Sequence, residues 1–214
     1  MSTQPRDERR PYRAGRRAMA AAETRRAILD AANRLFVEHG YGRVTVADIA
    51  REAEAAVPTV YASTGGKAAI LALLIDEGVA DPIVEQTLAA VRTSADPRDA
   101  VTVTVHGVRV DNERHFDLLH VLTTAAALEE TAKETLTRAD RAYRDALGVV
   151  AGRLEELNAL RPGLGRDRAT DILWFFLGHH SWRLCVADRG WSWNDTEEWL
   201  GEQLSIALLG DRAG

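Results

Sequence analysis

Thr45, Thr59, Tyr61 and Lys67 fall within one short stretch and offer three hydroxyls and an ammonium. Such donors suit the phosphate oxygens of a nucleic-acid backbone, where they fix register and carry no sequence information. Thr45 opens Val44-Thr-Val-Ala-Asp-Ile49, a dense helix-start signal. There the Thr45 hydroxyl can cap the amide of Asp48 while Asp48 reaches back, with Val44 and Ile49 as a hydrophobic staple. A helix start also presents free backbone amides to phosphate. Reading of bases falls to the start of the next short helix, Ala55 to Pro58, which includes Ala56 and Val57. Because neither Val57 nor Pro58 is Arg, Asn or Gln, the major groove can be read there mainly through thymine methyls and shape. Glu54 would repel phosphate and is expected to point away.

The elements that must position these groups follow from periodicity. Ile28, Ala31, Ala32, Leu35 and Phe36 make Thr24–His39 an amphipathic helix, ended by Gly40, with Tyr41 able to pack back onto Phe36. A second helix runs from Thr45 to about Ala53, and a third covers Val57–Ala62 with Pro58 tolerated in its first turn. Ser63-Thr-Gly-Gly66 breaks the chain before Lys67–Val79 resumes. Three helices at this spacing, the last two joined by a tight turn, predict a helix-turn-helix. Residues 1–22 lack an apolar period and contain two Pro, which predicts a flexible basic arm; Arg6–Arg17 could enter a minor groove.

Beyond Pro82 the expectation is helical throughout: Asp96 toward Glu113, Phe116–Ala127, Leu136–Leu157, Arg168–Ala187 and Thr196–Leu209. Val101-Thr-Val-Thr-Val105 alternates like a strand, but Val101, Val105 and Val108 also fit a helical face and no partner strand is visible. The fold class is therefore all-α, divided into the arm 1–22, a head 23–68 and a larger body 69–214.

Charge follows the same division. Residues 1–67 carry 12 basic against 8 acidic side chains, whereas 68–214 carry 15 against 24, within a net charge of −5. A basic head on an acidic body suits a polyanion-binding module attached to a second domain. No uncharged apolar run reaches the roughly 18–20 residues of a membrane span. A lone cysteine, Cys185, excludes a disulfide framework and a Cys-cluster metal site, so a cytoplasmic location is expected.

The stretch Thr45–Leu71, with Thr59-Val60-Tyr61 followed six residues on by Lys67, resembles the DNA-binding segment of the TetR (tetracycline-repressor) family of bacterial regulators. The match is strong over Thr24–Leu74. A weaker one lies at Asp188-Arg-Gly-Trp191-Ser and from Trp199-Leu200 to Leu208-Leu209-Gly210. Glu54 and Ala56 depart from it, standing where the family commonly shows Gly and a capping Ser. The resemblance implies a DNA-binding regulator, a repressor released from its double-stranded operator by a small-molecule effector. It implies a homodimer through the last two long helices, 168–187 and 196–209, and adds Arg25 to the DNA-binding set. His106, Arg109, Phe116, Leu119, His120, Thr123, Tyr143 and Trp174 are the candidate ligand-binding residues on the body helices.

Two rival classes stay open. The first is a His-lined helical enzyme, although none of the six His lies in H-E-x-x-H or has a Glu three residues before it. No Gly-rich phosphate loop, nucleophile elbow or paired carboxylates are present, so neither metal, cofactor nor catalysis is expected. The second is a TetR-like protein that has lost DNA recognition and acts through a protein partner, suggested by Glu54–Pro58.

Overall fold

The computed structural model describes residues 9–209, with side chains from residue 16. Every regular element among them is helical, as expected. They divide into two compact units: the chain up to Ile75 with Val121–Lys133, and Asp76–His120 with the chain from Glu134 onward.

In the first unit, α1 spans Arg9–His39 and so begins well inside the stretch expected to be a flexible arm. Ala14, Ala18 and Ala20–Ala22, interleaved with Arg, are strong helix formers, and propensity here outweighs the missing apolar period. Residues 16–23 are solvent-exposed, and Arg6 lies outside the described residues. Further along, Ile28, Leu29, Ala31, Ala32 and Phe36 are buried. Gly40 ends α1 at φ 78°, and the Tyr41 ring packs 5.3 Å from Phe36. After a short 3-10 turn come α2 (Val46–Glu52), α3 (Val57–Thr64) and α4 (Lys67–Val79). Ile49, Val60, Ile70 and Leu71 close this core at 0% exposure, each contributing roughly 1.5–3 kcal/mol through burial.

In the second unit, α5 (Pro82–Thr93) is capped by Asp81, whose carboxylate accepts from the Ile83 amide at 2.9 Å. Next comes α6 (Pro97–Ala126), one helix where the sequence suggests two, because nothing between Glu113 and Phe116 breaks it. Its residues up to His120 belong to this unit and the rest to the first. Val101, Val105 and Val108 lie on its buried face, so the alternating valines are helical. Next is α7, Glu130–Glu156.

The expected single helix 168–187 is divided. α8 (Arg166–Leu177) stops at Gly178, whose φ −58° and ψ 151° are extended, and α9 (His179–Arg183) then runs into a π-helical turn, Leu184–Asp188. A side chain at Gly178 would press to 2.7 Å from the Trp174 carbonyl oxygen, which explains the glycine. The carbonyls freed by the break are taken by side chains: the Tyr143 hydroxyl donates to Leu177 at 2.9 Å and the Ser181 hydroxyl to Phe175 at 2.6 Å. α10 (Trp193–Leu208) starts on a Ser192 cap to the Asp195 amide at 3.0 Å.

Candidate nucleic-acid interface

Burial orients α3. Val60 and Thr64 point into the first unit's core, the Thr64 hydroxyl donating back to the Val60 carbonyl at 2.9 Å. Ala56, Val57, Pro58, Thr59, Tyr61 and Ala62 consequently face solvent, with Tyr61 55% exposed. A short helix that buries one edge and shows an apolar and hydroxyl face is shaped to enter a groove. Ala56 caps α3 without any side-chain bond, Pro58 carries no N–H, and the Thr59 amide donates to the Ala56 carbonyl at 2.8 Å.

At the start of α2 the capping box forms as the sequence implies. Thr45 Oγ1 accepts from the Asp48 amide at 3.2 Å, and Asp48 accepts from the Thr45 amide at 3.0 Å and from its hydroxyl at 2.6 Å. The hydroxyl proton of Thr45 is thus engaged within the protein. Those bonds and the Arg51 guanidinium at 2.7 Å hold the Asp48 carboxyl down at about 2.

Glu54 is exposed, in the turn between α2 and α3, and adopts φ 51°. This left-handed conformation favours glycine, so the family's glycine at this position answers to backbone geometry.

Two other expected contacts are tethered. Lys67 Nζ lies 4.1 Å over the Tyr41 ring and donates to the Tyr41 carbonyl at 3.1 Å. Arg25 donates to the Ser63 carbonyl, joining α1 to the end of α3. Both are half-buried, so they brace the α3 platform as well as lending charge to it.

Residues 28–74 match the family described as bacterial regulatory proteins, tetR family. An uncharacterized HTH-type transcriptional regulator of Mycobacterium tuberculosis is 28% identical over 152 residues, which cover 71% of this chain and 77% of that one. Over residues 28–74 the chain is thus similar to the DNA-binding segment of tetR-family transcriptional regulators. Two solved structures share its fold. NalD, the secondary repressor of the MexAB-OprM multidrug efflux pump in Pseudomonas aeruginosa, superposes with a TM-score of 0.72 at 24% identity, over 90% of this chain and 99% of NalD. A transcriptional regulator from Saccharomonospora viridis in complex with choline gives 0.71 at 19%, over 89% and 100%. TetR-family regulators bind DNA operators and small-molecule ligands and act as dimers.

The second unit distributes the expected ligand residues unevenly. Phe116 packs against His179 at 5.2 Å and edge-on against Trp193 at 5.3 Å, and Trp182 stacks on Trp193 at 5.6 Å. Asn112 joins this cluster through His179 Nδ1, 3.3 Å from its Oδ1. Burial pushes the Tyr143 hydroxyl far up, lowers the His179 imidazole to about 4 and raises the Asp111 carboxyl to about 6. The other candidates lie elsewhere. His106 and Arg109 both pair with Glu197 at 2.9 Å, His106 at the surface. His120 is exposed and receives a bond from Arg183, Trp174 lies 5.1 Å from His180, and Leu119 is half-buried. Thr123 is exposed and belongs to the first unit.

Asp111, Asn112, His179, Trp182 and Trp193 are missing from the sequence-based set. A usable signal existed: Asn112 and Phe116 share a helical face at i, i+4, and His179 and Trp182 share one at i, i+3. Among the described residues, no group of three His, Cys, Asp or Glu could hold a metal ion, and no helix is long and apolar enough to cross a membrane.

Proposed function

We propose that this regulator is a cytoplasmic, non-enzymatic repressor that leaves its operator when a small molecule occupies the body. One observation carries the DNA half of this reading: α3 turns Val57, Pro58, Thr59 and Tyr61 outward while Val60 anchors it in the core. Thr59, Tyr61 and Lys67 hold phosphates, Thr45 fixes the start of α2 because both its donors are engaged by Asp48, Arg25 braces the end of α3, and Ala56, Val57 and Pro58 meet the bases. The basic arm, 1–22, adds charge to the head 23–68, and the body 69–214 holds effector and partner.

The regulator works as a homodimer through the last two long helices. Phe175, Leu184, Trp191, Trp199 and Ile206, all from α8 to α10, are 39–70% exposed, an apolar load that a second copy would cover. A two-fold pair of heads addresses half-sites about one helical turn apart, ~34–36 Å. The effector contacts Phe116 and Tyr143, with His106, Arg109, Leu119, His120, Thr123 and Trp174 as the wider candidate set. By linkage, effector and operator weaken each other by the same factor. That NalD is a repressor and the S. viridis regulator holds choline supports repression and ligand binding on this fold.

Selection of bound fragments from random duplex DNA, followed by release with a small-molecule panel, tests the reading. Recovery of a two-half-site sequence that a panel member releases supports it; binding indifferent to every compound removes the effector.

A further inference from the structure

Resting on the reading that the body binds an effector, we infer that the effector is a neutral, apolar molecule whose hydroxyl is received jointly by His179 Nε2 and Trp182 Nε1. Both atoms are buried with no hydrogen-bond partner, and the Trp182 side chain is completely buried. A buried polar group without a partner is costly, and such groups mark sites that a ligand or water completes.

The chemistry of the two atoms selects the occupant. Asn112 Nδ2 donates to the Val108 carbonyl at 3.0 Å, which turns its Oδ1 toward His179 Nδ1 at 3.3 Å. An acceptor oxygen there assigns the proton to Nδ1, so Nε2 presents a lone pair. Burial keeps this imidazole neutral at physiological pH. Trp182 Nε1 can only donate. The two residues stand at i, i+3 on α9, and both belong to the aromatic cluster of Phe116 and Trp193. A hydroxyl both donates and accepts, so one oxygen meets both needs. A carboxylate satisfies the indole alone, and a quaternary ammonium satisfies neither. Phe116, Trp182 and Trp193 supply apolar walls for the remainder of the molecule.

The test uses the full chain and titration calorimetry with phenol and cyclohexanol, each beside its methyl ether, and with benzoate and tetramethylammonium. At least one alcohol should bind about tenfold or more tightly than its ether, the effect expected when a built hydrogen-bonding site loses its partner. Which alcohol does so distinguishes an aromatic from an aliphatic source. Trp182→Phe and His179→Phe, checked for retained melting behaviour, should bring alcohol and ether within about twofold of each other. Equal binding of alcohol and ether by the unaltered protein, tighter binding of benzoate or tetramethylammonium, or no binding of either alcohol would overturn the proposal without recourse to the variants. Operator release by other compounds while both alcohols fail overturns only the hydroxyl assignment. Operator binding that no small molecule affects overturns the effector reading beneath it.

Discussion

The Lys67 ammonium sits 4.1 Å above the ring of Tyr41, whose own hydroxyl donates to Glu129 Oε2 at 2.7 Å. The cation proposed to meet DNA is thereby held within the first compact unit by a buried aromatic. Its Nζ also donates to the Tyr41 carbonyl, so one of its three protons is engaged within the fold.

Lys67→Ala therefore has two consequences. Affinity should fall alike for all duplex sequences, and the slope of log affinity on log salt should shrink by about 1. Loss of the ring contact and the hydrogen bond should also destabilise the chain by about 1 kcal/mol. Anisotropy titrations at several salt concentrations, with parallel denaturant melts, separate the two effects.

Val57→Ala should act differently, because that side chain is exposed on α3 and carries no charge. Preference at one base pair of each half-site should change by about 1 kcal/mol with the salt slope unchanged. Equal loss for every sequence would reverse the roles given to Val57 and Lys67.

Glu54 pays for its left-handed backbone with no compensating side-chain bond among those described, so Glu54→Gly should stabilise the protein by about 1 kcal/mol. A shift of the urea midpoint to higher concentration at constant m checks this.

Gly107 on α6 marks a close approach of α5: a Cβ built there would lie 2.0 Å from Thr87 Oγ1. Gly107→Ala should cost about 2 kcal/mol by forcing the helices apart, even though alanine has the better helix propensity. A Tm equal to or above that of the unaltered protein would remove this contact from the account.

The head was legible in the sequence because its signals are local. Thr45 with Asp48, Gly40 with Tyr41, and Pro58 at a helix start each declare themselves within a few residues. The helical Ala–Arg stretch before Thr24 was missed because no apolar period marks it, and its residues 16–23 face solvent. The break at Gly178 was missed for the opposite reason, since its support comes from Tyr143 on a distant helix. The same distance hid the partnership of Asn112 with His179.

Asp111 and His179 have opposing effects on stability against pH. The His179 imidazole is held near 4 when folded, against ~6.5 when unfolded, so the unfolded chain binds more protons and stability rises with pH across that window. The Asp111 carboxyl is raised to about 6 when folded, against ~3.9 when unfolded, so its contribution falls as pH rises from 4 to 6. His179→Phe should make Tm decline more over pH 4–6, and Asp111→Asn should make it climb more. Profiles of the two variants that run parallel would contradict these environments.

The outward face of α3 is proposed to read duplex DNA, and comparing the selected operator with a scrambled duplex over a salt series tests this most directly. Binding to the operator should be tighter by about 10³-fold or more, with log affinity falling steeply as salt rises. Equal affinity for the two duplexes, or operator binding unchanged by Val57→Ala and Lys67→Ala together, would contradict it.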